Sequence, residues 1–229
     1  MATPRVRSAC SASPTTLAPH LPRPLPSAQL ALYTAAQLSP SARDTLYALL
    51  DANMAPLAAG TSMEHEPLSK RAEMFDKDAR YLVLTRTPSP PMPGALPPTP
   101  GRRARVELLA DELLGFASFR FDTEETCGAE DAEVIYCYEV QLAPDARGLG
   151  LGAALMAELE GIGARRGMAK AMLTCLASNT TALHFYTKAG YTADEIDPTR
   201  MADDEEGWED VGEDGEVRRP DYRILSKEL

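Results

Sequence analysis

The run Val134-Ile135-Tyr136-Cys137-Tyr138-Glu139-Val140-Gln141-Leu142, continued through Ala143-Pro144-Asp145-Ala146 into Arg147-Gly148-Leu149-Gly150-Leu151-Gly152, decides how this chain folds. Its first part predicts a strand over Glu133 to Leu142. Val134, Tyr136, Tyr138, Val140 and Leu142 alternate there with Ile135, Cys137, Glu139 and Gln141, so successive side chains take opposite faces. Its second part is a turn with three glycines at alternate positions. Glycine lets the backbone take positive φ and approach a ligand closely. Beyond it, Gly150 to Arg166 reads as an amphipathic helix, with Leu151, Leu155, Leu159 and Ile162 on one stripe. A strand, a glycine turn and a helix in that order leave the first helical amides facing outwards, a ready site for a pyrophosphate. Arg147 adds a full positive charge at its entrance.

Working outward, the periodicity predicts a helix over Ser39 to Met54, with Ser41 as its cap, and a second over Glu66 to Lys77 with Pro67 in its first turn. Strands are expected at Arg80 to Thr85 and Leu113 to Phe121, then an acidic hairpin loop from Asp122 to Asp131. After the long helix come a strand (Ala169 to Leu176), a helix (Thr180 to Ala189, stopped by Gly190), a strand opening at Tyr191, and a last strand from Tyr222 to Ser226. This order implies one α/β domain, residues 41–229, interrupted by a Pro-rich insert (87–106) and an acidic insert (202–216). Residues 1–40, rich in Pro, Ser and Ala, read as a disordered tail. Arg5, Arg7 and Arg23 without an acid give it the composition of a transit peptide, but Pro4, Pro14, Pro19, Pro22, Pro24 and Pro26 argue against the amphipathic helix such a peptide needs.

The length of 229 residues suits one domain with tails. No stretch approaches the ~18–20 apolar residues of a membrane span. The net charge of -11 argues against nucleic acid as direct partner and favours a cationic one. Cys10, Cys127, Cys137 and Cys175 form no C-x-x-C pair and cluster with no His, so neither a disulfide framework nor a metal site is expected, and a reducing compartment fits.

Three readings compete for the glycine turn. One is a plain strand-to-helix connection. Another is a dinucleotide fingerprint, Gly148-x-Gly150-x-x-Ala153, but that wants an acid at the end of the next strand, where Leu176-Ala177 stands. The third is coenzyme A binding: Arg147-x-x-Gly150-x-Gly152 resembles the pyrophosphate motif of the GNAT acetyltransferases. Asn179-x-x-Ala182-x-x-Phe185-Tyr186-x-x-x-Gly190-Tyr191 resembles the other recurrent stretch of that family. The resemblance implies a GNAT fold, a mixed and mostly antiparallel central sheet with helices on both faces. It implies acetyl-CoA as co-substrate, held by Val140, Leu142, Arg147, Gly148, Leu149, Gly150, Leu151, Gly152 and Asn179.

Within that family, Tyr136-Cys137-Tyr138-Glu139-Val140-Gln141-Leu142 resembles the NatD subfamily, which acetylates the N-terminal amine of histone tails beginning Ser-Gly-Arg-Gly. Phe119-Arg120-Phe121-Asp122, Lys70-Arg71-x-Glu73-Met74 and Tyr222-Arg223-Ile224-Leu225-Ser226 agree with it, and the resemblance spans about residues 44–86 and 112–227. It implies histone tails as partner, a monomer, and work in cytoplasm and nucleus without membrane or metal. An aromatic-rich stretch that clamps the peptide in that subfamily is replaced here by residues 55–65, which contain no Tyr or Trp.

The chemistry asks little. An α-amine has a pKa near 8, so a modest base frees it for direct attack on the thioester. Glu139 is the candidate base; the alternative is a strand carboxylate paired with a neighbour. Strict alternation sends Tyr138 and Glu139 to opposite faces; the resemblance places both in one site and so implies a β-bulge. Splayed strand amides would hold the thioester carbonyl. Tyr136 and Tyr138 would line the peptide pocket, or pack in the core. The resemblance implies that Asp122 and Glu124 grip a substrate arginine; the alternative is that they stand as solvated loop charges. Tyr186 would return a proton to the leaving thiolate. Cys137 and Cys175 read as packing residues.

Overall fold

The computed structural model describes residues 2–19, 25, 27–87, 105–201, 210–211, 217–218 and 220–229. Helices are α1 (Pro4–Cys10), α2 (Pro40–Ala58), α3 (Pro67–Met74), α4 (Leu151–Arg166), α5 (Thr180–Lys188) and the short α6 (Pro198–Met201). Strands are β1 (Ala28–Thr34), β2 (Arg80–Arg86), β3 (Leu113–Glu124), β4 (Ala132–Leu142), β5 (Lys170–Leu176), β6 (Thr192–Ala193), β7 (Asp210–Val211), β8 (Val217–Arg218) and β9 (Tyr222–Glu228). Seven form one sheet in the order β1-β2-β3-β4-β5-β9-β6, while β7 and β8 pair with each other. Every neighbour in the large sheet is antiparallel except β4 with β5, the pair that α4 connects.

Alternation along β2 shows how the sheet builds two cores. Leu82 and Leu84 enter a cluster with Val6 of α1, Leu155, Leu159 and Ile162 of α4 and Tyr186 of α5. Tyr81 and Val83 enter the opposite cluster, with Leu46 and Leu50 of α2 and Met74 of α3. Burying each such side chain is worth about 1.5–3 kcal/mol. Helices on both faces of a mostly antiparallel sheet are the architecture that the resemblance implied.

The disordered tail is a correction. Residues 28–34 form β1, which pairs with β2 over its whole length, and Val6, Ala9 and Leu17 are buried in the core. The prolines punctuate this segment instead of dissolving it. Pro4 occupies the first turn of α1 behind the Thr3 cap, where a missing N–H is harmless. Two smaller corrections follow. Ser39, not Ser41, caps α2, its Oγ accepting from the Ala42 amide at 3.0 Å. The acidic hairpin begins later than expected, because Asp122 and Glu124 still pair in the ladder, opposite Val134 and Ala132. Residues 88–104 of the Pro-rich insert, and 202–209 and 212–216 of the acidic insert, lie outside the described residues.

Candidate active site

The register of β3 on β4 jumps at the decisive place: Ser118 faces Glu139, but Phe119 faces Cys137. Tyr138 is the extra residue of a β-bulge, as the resemblance implied. A bulge turns neighbouring side chains to one face, and Tyr136, Tyr138, Glu139 and Val140 all line one cavity of about 670 Å³. The opposite wall is the end of α2 (Met54, Ala58), the loop after it (Ser62 to His65) and α3 (Ser69, Lys70, Glu73); Asn179, Ala182 and Tyr186 close the third side.

The bulge also ends the contact between β4 and β5. Their parallel pairing stops at Cys137 with Leu173, although both strands run on. On the other edge the Ala143 amide donates to Leu114 O at 2.9 Å. Since bonding direction alternates along an antiparallel strand, the amides of Val140 and Leu142 point into the gap that β5 leaves.

Glu139 is held from two sides. Oε1 is 2.9 Å from Lys70 Nζ, and Oε2 accepts from Gln141 Nε2 at 3.0 Å. Lys70 also pairs with Glu73 at 2.9 Å. Burial works against the Lys70 charge, but the two carboxylates outweigh it and raise its pKa. The paired-carboxylate reading of Glu139 therefore describes its present contacts, and the residue also lines the cavity wall.

The tyrosines share the wall and the core. Tyr136 and Tyr138 have ring centroids 5.2 Å apart, and the Arg120 guanidinium lies 4.4 Å from the Tyr138 ring. Burial pushes the Tyr136 hydroxyl up to about 12; it lies 2.5 Å from Thr174 Oγ1. Tyr186 is buried, and that burial raises its pKa well above the usual range, so it stays protonated at neutral pH. Cys137 and Cys175 are buried too; burial moves the first upward and the second up to about 11, which leaves both as inert thiols.

The glycine turn lies beyond this cavity. Gly148 and Gly150 take φ of +74° and +77°, and nothing stands within 4 Å of where a Cβ would be. No side chain caps α4, so its first amides are free for an anion. Leu149 is 67% exposed, whereas Leu151 is buried and offers only its backbone. Gly152 packs on Leu142 and Phe185. Arg147 donates to Asn53 Oδ1 at 2.6 Å. Asn179 Oδ1 caps α5 through the Ala182 amide at 3.1 Å, which leaves its Nδ2 donors for a ligand.

Of the expected substrate acids, Glu124 reaches the cavity wall; Asp122 is not among its lining residues, and its carboxylate accepts from the Thr123 amide. Burial, followed by the nearby Asp122 and Glu125 charges, raises the pKa of Glu124. Lys70, Gln141 and Asn53 were missed as site residues. Gln141 was legible, since it stands two residues from Glu139 on the same strand; Asn53 and Lys70 come from other elements, and spacing carries no sign of them. Among the described residues, no group of three or more His, Cys, Asp or Glu is arranged to hold a metal ion.

The model of the Acetyltransferase (GNAT) family matches residues 76–191, just over half of the chain. The chain belongs to this family. Solved structures repeat the GNAT fold at low identity. The PaiA N-acetyltransferase from Thermoplasma acidophilum in complex with coenzyme A is 14% identical, covering 89% of this chain and 100% of that one at a TM-score of 0.50. Arabidopsis thaliana NAA60 in complex with a bisubstrate analogue is 12% identical, covering 88% and 99% at 0.53. The NatC complex bound to Gag peptide and CoA is 13% identical, covering 89% and 99% at 0.53.

Proposed function

We propose that this GNAT protein transfers the acetyl group of acetyl-CoA to the N-terminal α-amine of a peptide, and that the peptide is a basic histone tail beginning Ser-Gly-Arg-Gly. The observation that carries the reading is the bulge, which brings Tyr138 and Glu139 into one cavity beside the parted strands. The turn fits the co-substrate: two positive-φ glycines in open space, an uncapped helix and Arg147 suit a diphosphate. Acetyl-CoA supplies an activated acetyl group there. The Val140 and Leu142 amides, aimed into the gap, hold the carbonyl oxygen as charge gathers on it. Glu139 takes the amine proton, directly or through a water, and Tyr186 supplies one to the departing sulfur.

Charge supports a cationic substrate. Glu64, Glu66, Glu73, Glu124 and Glu139 line the cavity, against Lys70 and His65. The NatD-like strand from Tyr136 to Leu142 supports the histone tail, and with it a monomer acting in cytoplasm and nucleus. A test offers acetyl-CoA with a Ser-Gly-Arg-Gly peptide, and separately with an N-terminally blocked peptide carrying one lysine. Mass spectrometry should find one acetyl group on the first amine and none on the blocked peptide. The reverse result assigns the site to another amine. Calorimetry showing no affinity for coenzyme A in folded protein would remove the reading altogether.

A further inference from the structure

Lys70 sets a primary amine of this chain against the candidate base. It stands on α3, with Nζ 2.9 Å from Glu139 Oε1 and 2.9 Å from Glu73 Oε1. Its side chain is 15% exposed and lines the same cavity as Tyr138, Glu139 and Val140. The contact has the form of a substrate contact: an amine beside a carboxylate that can take its proton. Val140, whose amide points into the gap beside β5, directly follows Glu139, and consecutive Cα atoms lie about 3.8 Å apart. The flexible four-carbon stem of a lysine lets Nζ swing over such a distance, from Oε1 toward the gap. The other lysines are placed differently. Lys77 is 85% exposed and Lys188 is exposed at the end of α5. Lys170 is buried on Asp194, and Lys227 pairs with Glu160. None of these four is among the residues lining the cavity.

We propose that Lys70 is a self-acetylation site: with acetyl-CoA seated at the glycine turn, its Nζ attacks the acetyl carbon and keeps the group. This rests on the functional reading above. Glu139 takes one proton from the ammonium, and the freed lone pair forms the C–N bond. The C–S bond breaks with its electron pair on sulfur, and the proton that the new amide nitrogen sheds goes to that sulfur. The products are a neutral amide on Lys70 and free coenzyme A. Burial opposes the Lys70 charge, but Glu139 and Glu73 hold its pKa above the ordinary 10.5. At pH 7 fewer than about one such amine in three thousand is neutral, against roughly one in ten for an α-amine of pKa near 8. Self-transfer is therefore a slow, single event beside turnover on a peptide. It changes the wall lastingly, because of the basic side chains only His65 then faces Glu64, Glu66, Glu73, Glu124 and Glu139. A site that has modified itself presents a more negative wall to a basic peptide.

The test incubates full-length protein with acetyl-CoA and maps acetyl groups over time by mass spectrometry of its proteolytic peptides. Lys70 should be modified at least about tenfold faster than Lys77 or Lys188, because proximity outweighs their greater exposure. Its rate constant should stay unchanged on dilution of the protein and fall when excess coenzyme A competes for the turn. Acetyl phosphate, a donor without the nucleotide diphosphate, should reverse the order and favour Lys77 and Lys188. If acetyl-CoA labels the exposed lysines first, the modification is ordinary chemical acetylation and the proposal is overturned. A rate on Lys70 that climbs with protein concentration overturns it as well, since the transfer then runs between molecules. Acetylation of the Ser-Gly-Arg-Gly peptide while Lys70 stays bare sinks the self-transfer alone, whereas no binding of coenzyme A in calorimetry sinks the functional reading with it.

Discussion

The two halves of β4 obey different physics. From Ala132 to Cys137 the strand has partners on both sides, β3 throughout and β5 from Val134 onward, and Val134, Ile135 and Cys137 are buried in the core. From Tyr138 to Leu142 it pairs with β3 alone, its other edge faces the gap, and Tyr138, Glu139, Val140 and Gln141 line the cavity. One extra residue, Tyr138, separates the halves. Helix α4 repeats the division, with Gly163 against Ile135 and Gly152 against Leu142. A single strand can thus contribute packing and pairing at one end and line a cavity at the other.

The largest expected effects should therefore fall on different measurements. Glu139→Gln removes the base but keeps the shape, so kcat should drop about 10²–10⁴-fold while the melting temperature moves by no more than a few degrees. Lys70 retains Glu73 as a partner in that variant. Ile135→Ala, on the paired half, should lose about 2–5 kcal/mol of stability with turnover per folded molecule unchanged. Kinetics and denaturation of the two variants side by side would break the comparison if each affected both quantities equally.

Glycines on α4 give a finer cut. A methyl group at Gly163 would sit 2.5 Å from Leu229 Cδ1 and 2.6 Å from Ile135 Cγ2, and the Ile135 side chain is branched and buried. Overpacking of about 1–3 kcal/mol exceeds the helix-propensity gain of about 1 kcal/mol, so Gly163→Ala should be destabilised. The same change at Gly152 meets Leu142 Cδ1 at 3.4 Å, ordinary contact. Gly152→Ala should be neutral or slightly more stable, and chemical denaturation of the pair measures the difference.

This division explains what could be read from the chain in advance. The paired half of β4, the glycine turn and α4 announce themselves through period, composition and order, which are local properties. The bulge was foreseen only through the resemblance, which puts Tyr138 and Glu139 in one site against strict alternation. The first strand was not foreseen. Leu30 and Leu32 do alternate with Gln29 and Ala31, but the prolines around them carry the composition of a tail, and only pairing with β2 reveals the strand. Lys70 was legible as part of a family-like string yet silent as a partner of Glu139, since the two are 69 positions apart in the chain. Contacts of that kind depend on how α3 docks, and no local pattern encodes it.

The smallest expected effect tests that docking contact through its pH dependence. Lys70 is partly buried between Glu139 and Glu73; burial opposes its charge, the carboxylates prevail, and its pKa lies above the ordinary 10.5. A cation whose pKa rises on folding stabilises the fold in full below the unfolded value and loses that contribution as pH climbs through the folded value. Lys70→Met should thus be less stable than wild type by a constant margin across the neutral range, smaller than the loss in Ile135→Ala. Above about pH 10.5 the margin should shrink as the wild type loses its proton. Urea denaturation at pH 7, 9 and 11 reads this directly. A margin that grew with alkalinity would mean that Lys70 is held in the fold without its charge, and the contact would then belong with the packed half of the molecule instead of the chemical one.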